Sequence, residues 1–88
     1  MTGAETLINR IGRFDIAMAI IDKRPDLARR VLGECVVLRA ECMLSQAAIE
    51  YVARCSAFAV VEDGDRVPDY DIEIDEDAGT ITWVRKPF

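Results

Sequence analysis

The distribution of apolar residues predicts an α+β fold, with two antiparallel helices followed by a C-terminal antiparallel β-hairpin. Three observations point to it. Apolar residues recur at helical spacing from Leu7 to Ile21 and again from Leu27 to Val52. Residues 70–75 instead alternate strictly between apolar and acidic. Acidity is also segregated: residues 1–61 carry seven acids and eight bases, whereas residues 62–88 carry nine acids and three bases. A chain of 88 residues, 51% of them hydrophobic, suits one domain over 1–88 with a real core. Its helical part is expected over 1–56 and its acidic hairpin part over 57–88.

Thr2-Gly3-Ala4-Glu5 has the form of a capping box, in which hydroxyl and carboxylate satisfy free backbone N–H groups. Leu7, Ile8, Ile11, Phe14, Met18 and Ile21 then share a stripe, so a first helix is expected from Thr2 to Asp22. Lys23 and Arg24 suit its C-terminal dipole, and Pro25 ends it. A second helix starts at Pro25 or Asp26, where proline's missing N–H costs nothing. Val31, Cys35, Leu38, Cys42, Ile49 and Val52 continue its stripe, and no strong break precedes Cys55-Ser56. Unbroken over 27–55 it would be roughly 43 Å long. Either Gly33 interrupts it or its far end packs elsewhere. Val36, Val37, Met43 and Leu44 widen the apolar surface beyond one stripe, which predicts self-association as a homodimer through these residues.

The last third reads as β structure. Phe58 to Val61 suggests a short extra strand, and Glu62-Asp63-Gly64-Asp65 a turn. Tyr70 to Asp75 and Thr80 to Arg85 form the hairpin around Glu76-Asp77-Ala78-Gly79. Pairing Asp75 with Thr80 puts Ile74 opposite Ile81, Ile72 opposite Trp83 and Tyr70 opposite Arg85 on one face, expected to dock on the helices. A one-residue slip would lose the apolar pairing.

The acids of this hairpin, Asp69, Asp71, Glu73, Asp75, Glu76 and Asp77, are the first candidate site. They can meet a basic surface on a partner protein, such as a nucleic-acid-binding groove, or serve only as a solvated strand face that resists edge pairing. The second candidate is the cationic junction of Lys23, Arg24, Arg29 and Arg30, where a helix N-terminus beside cations could hold a small anionic ligand such as a nucleotide within a homo-oligomer. Its bland reading is dipole complementation plus exposed helix charge.

Other classes are disfavoured. There is no histidine, and Cys35, Cys42 and Cys55 contain no C-x-x-C pair, so no metal or other cofactor is expected. The three thiols read as small buried apolar groups in a reducing cytoplasm. Neither Asp63-Gly64-Asp65 nor residues 75–79 match a calcium loop. Ser45 and Ser56 have no neighbouring base and no glycine-rich phosphate loop occurs, so no enzyme is expected. Leu44 to Arg54 resembles the opening of a helix-turn-helix, but apolar residues and then acids follow where a recognition helix belongs, so direct nucleic-acid binding is not expected. No apolar run is long enough to span a bilayer, and nothing at the N-terminus reads as a signal peptide.

The chain is very short, strongly acidic and without catalytic groups, and its helical half joins a β-hairpin through residues 58–70, from Phe58 by way of Asp63-Gly64-Asp65 to Pro68-Asp69-Tyr70. In these features it resembles the small accessory proteins that bacteriophages use against host machinery, including the anti-CRISPR class. The likeness is one of style and carries no individual residues across. It implies a non-enzymatic inhibitor that blocks a host complex by occupying a surface, acting in the host cytoplasm on a host protein with a basic surface.

Overall fold

The computed structural model describes residues 8–87. Its chain order is β1 (Ile11–Ala17), α1 (Met18–Lys23), α2 (Pro25–Gly33), β2 (Val36–Met43), a 3₁₀ turn (Leu44–Gln46), β3 (Ala48–Arg54), β4 (Tyr70–Asp75) and β5 (Thr80–Arg85). This overturns the expectation of two helices followed by a hairpin. The described residues are mostly strand, and their two helices are short and lie between β1 and β2. The expected capping box lies outside the described residues.

The reason is visible in β1. Ile11, Phe14 and Met18 fit a helical stripe, but Gly12, Phe14 and Ile16 also alternate with Arg13 and Asp15, and it is this period of two that becomes buried. Antiparallel pairing of β1 with β3 opposes Phe14 to Tyr51 and Ile16 to Ile49, so both strands bury their apolar set together. The long second helix likewise stops at Gly33. Its remainder folds into the β2–β3 hairpin, whose turn is closed by Ala47 at φ 50°. The sheet order is β1-β3-β2, with a bulge in β2 between Val37 and Arg39.

The C-terminal hairpin pairs Asp75 with Thr80, Ile74 with Ile81, Ile72 with Trp83 and Tyr70 with Arg85, the register that its alternation predicts. The expected strand at 58–61 does not form; Val60 makes only an isolated bridge to Arg10. Its neighbour Phe58 is instead the centre of the core, 0% exposed, with its ring 4.5 Å from Tyr70 and 4.9 Å from Trp83. Trp83 also meets Phe14 at 4.9 Å. The Ile/Trp face of the hairpin therefore docks on the inner face of the three-stranded sheet as well as on α2, which contributes Ala28 and Val31. Gly12 makes this approach possible, since a Cβ there would lie 2.7 Å from the Tyr70 ring.

Candidate functional site

Beyond this packing, the backbones of the two sheets are bridged at Arg13. The Arg13 N–H donates to the Pro68 carbonyl at 2.9 Å, and Arg13 and Asp69 form a parallel bridge. Strand pleating then decides what lies on the face opposite the core. Phe14, Ile16, Tyr51 and Ala53 point inward, so Arg13, Asp15, Glu50, Val52 and Arg54 point outward. Tyr70 is buried and Ile72 and Ile74 pack on the core, so Asp69, Asp71 and Glu73 lie on the outward side of β4.

Register sorts the outer face into rows. Asp15, Glu50 and Glu41 stand opposite one another across β1, β3 and β2. In the next row Arg13, Val52 and Arg39 do the same. Like charges directly opposite destabilise a sheet, so the acidic row opposes folding. Asp71 continues that row across the opening between β1 and β4, and Glu73 lies beyond it. Arg39 reaches Glu41 at 3.5 Å, and Arg13 also lies beside this face. The hydrogen bond of Arg13 to Asp69 raises its pKa, partial burial opposes the rise, and the charges of Asp69, Glu50 and Asp15 add to it.

Several hairpin acids are already engaged. Asp69 pairs with Arg13 at 2.6 Å and Asp71 with Lys86 at 3.3 Å. The Asp75 carboxylate accepts the Ala78 N–H at 3.1 Å and so fastens the turn. Glu76 pairs with Arg24 at 2.9 Å. Glu73 and Asp77 are exposed and make no such contact among the described residues. Asp15 and Glu50, which the helical reading hid, likewise have no hydrogen bond or ion pair to a side chain there. Strict alternation in Arg13 to Ile16 and in Glu50 to Arg54 is the signal that could have revealed them.

The cationic junction lies against the turn of the acidic hairpin. Arg24 binds Asp26 through two hydrogen bonds of 3.1 and 3.2 Å and also reaches Glu76. Hydrogen bonding to Asp26, then to Glu76, raises its pKa, and Asp26 is lowered in turn, chiefly by Arg24. Arg30 donates to the Gly79 carbonyl, while Lys23 and Arg29 are exposed. The two sets of candidates are therefore joined to each other.

Between β1, β4 and α2 lies a cleft of about 340 Å³, lined by apolar groups including Ile16, Leu27, Val31 and Ile72, with exposed Asp15 and Asp71 at its mouth. On the far edge of the sheet, every residue of β2 except Met43 is exposed. Val36, Val37 and Leu38 are 41–52% accessible and the neighbouring Leu44 80%. The thiols differ from the expectation of three buried groups. Cys55 is buried and Cys35 half-buried, but Cys42 is exposed on β2, which no element among the described residues covers. Burial first, then the adjoining Cys55 and Glu34, push the Cys35 thiol up to about 12. No helix among the described residues is long and apolar enough to cross a membrane.

Comparison with family models, with characterised proteins and with solved structures finds no match to this chain.

Proposed function

We propose that this chain is a non-enzymatic protein-binding module that presents its acidic outer face to a basic surface on a host protein and inhibits that protein by occupying the surface. The observation that carries this reading is the row Asp15–Glu50–Glu41. Three carboxylates stand directly opposite one another and repel, beside two cations, Arg13 and Arg39. Asp71 and Glu73 extend the same negative surface along β4. Such a surface speeds encounter with a cationic partner and rejects nucleic acid and other polyanions. Within the hairpin, Asp69, Asp75 and Glu76 serve chiefly to join elements of the fold. Glu73 remains for recognition, together with Asp15, Glu50 and Asp71, whose pair with Lys86 is exposed on both sides. An anionic ligand at Lys23, Arg24, Arg29 and Arg30 is the weaker reading, since it would have to displace the carboxylates of Asp26 and Glu76 from Arg24.

The test is capture of partners from host lysate at low and high salt, using the natural chain and the variant Asp15→Asn/Glu50→Gln/Glu73→Gln. The natural chain is expected to retain a basic protein at low salt and to lose it as screening rises, and the variant to lose it at both. Equal capture by both chains at low salt overturns the reading.

A further inference from the structure

We infer that two copies of this chain join edge to edge through β2, antiparallel about a two-fold axis at Ala40, to form a continuous six-stranded sheet. The inference shares the acidic row with the inhibitory reading but needs no host protein, and its test reads self-association alone.

Among the described residues β2 is the outer strand of its sheet, and no strand of theirs pairs with its far edge. Natural edges are blunted by charged side chains, lysine above all, by proline, by bulges or by a covering element, and of these β2 has the pair Arg39 and Glu41 and one bulge. β2 contains no lysine or proline, and exposed Val36, Val37 and Leu38 lie along it. The bulge near Leu38 bends its first half, but Arg39 to Met43 pair regularly with β3 and leave a straight edge.

Charge fixes the occupant and the register. In an antiparallel pair about a two-fold axis normal to the sheet, facing residues lie on the same side, so the axis must pass through a residue. With the axis at Arg39 or Glu41, like charges stand directly opposite. At Cys42, Glu41 faces the partner's Met43 and no ion pair forms. At Ala40, Arg39 faces the partner's Glu41 and Glu41 faces the partner's Arg39, giving two cross-strand ion pairs. Arg39 and Glu41 already lie on one side of the strand, 3.5 Å apart.

The same axis resolves the unfavourable row. Asp15, Glu50 and Glu41 of one copy run on into the partner's Arg39, Val52 and Arg13, so the acidic row of each copy ends on the basic row of the other. Exposed Cys42 comes against the partner's Leu38 on the opposite side, and toward the strand ends, beyond the bulge, Met43 and Leu44 approach the partner's Val36 and Val37. These are the four residues whose apolar character marks them for self-association.

The experiment is sedimentation over a range of concentration, together with cross-linking. The natural chain is expected to dimerise. Arg39→Glu sets glutamate against glutamate at two places and is expected to weaken the dimer by about tenfold or more. Arg39→Glu/Glu41→Arg restores opposite pairing and is expected to recover it. With Cys42→Ser removing the exposed thiol, Ala40→Cys places two thiols across the axis within disulfide reach, so mild oxidation is expected to give a covalent dimer. Circular dichroism of each variant confirms that it folds. The inference is overturned by a natural chain that stays monomeric at the highest attainable concentration. It is also overturned by a dimer that Arg39→Glu leaves intact and that Ala40→Cys does not link.

Discussion

Gly12→Ala separates the strand fold from a helical one by the sign of its effect. In a helix, replacing glycine by alanine gains about 1 kcal/mol. In this fold the new Cβ would lie 2.7 Å from Tyr70 Cε1 and 2.8 Å from Phe58 Cδ2. Carbon atoms prefer about 3.5–4.0 Å, so both rings must retreat by close to 1 Å. Neither has room. Phe58 is 0% and Tyr70 5% exposed, and the Tyr70 hydroxyl is tied to the Ala59 N–H at 2.8 Å. Overpacking of this kind costs about 1–3 kcal/mol. A domain of this size has roughly 4–13 kcal/mol of stability in all. At about 4–8 °C per kcal/mol, a cost near 2 kcal/mol lowers Tm by about 8–16 °C. Thermal unfolding followed by circular dichroism, with Trp83 fluorescence as a second probe, measures it. An unchanged or raised Tm refutes the packing of β1 against Phe58 and Tyr70.

Two further outcomes test local parts of the fold. Ala47→Gly is expected to stabilise the chain by about 0.5–1 kcal/mol in urea unfolding. Relief of the left-handed backbone, worth about 1–2 kcal/mol, outweighs glycine's entropy in the unfolded chain, about 0.4–1 kcal/mol; destabilisation would mean that Ala47 does not occupy that conformation. Among the thiols, Cys42 is expected to react with Ellman's reagent well before Cys35 and Cys55. In the folded chain Cys35 stays protonated up to about pH 12, whereas its ordinary value is 9.0. Its contribution to stability is therefore complete below pH 9 and is lost as pH rises from about 9 toward 12. Cys35→Ala removes that part of the decline, and a difference curve that is flat with pH contradicts the assignment.

The hairpin was legible because each signal agreed: strict alternation, a turn ending in Gly79 at φ 70°, and apolar partners at matching distances from the turn. The start of α2 at Pro25 was legible too, whereas its end at Gly33 was one of two alternatives for a helix expected to run on to Cys55. β1, β2 and β3 were not. Ile11, Phe14 and Met18, and likewise Leu38, Cys42 and Ile49, fit a helical period as well as a strand period, and pairing between distant strands decides between them. The β2–β3 turn also lacks the glycine, asparagine or proline that usually announces one, since Ala47 supplies the positive φ. The hairpin half of the acidic face could therefore be named from the sequence. Asp15, Glu50 and Glu41 could not, because only the register across three strands sets them side by side.

The claim at the centre of this account is that Asp15, Glu50 and Glu73 are kept for recognition at the expense of folding. Urea unfolding of Asp15→Asn/Glu50→Gln/Glu73→Gln measures it without knowledge of any partner. Removing the repulsion that Glu50 shares with Asp15 and Glu41 is worth about 0.2–1 kcal/mol for each of the two pairs, and losing the attraction of Asp15 and Glu50 for Arg13 takes part of this back, so the variant is predicted to be as stable as the natural chain or up to about 1 kcal/mol more stable. A loss of stability would show that these carboxylates hold the sheet together, and would contradict the account.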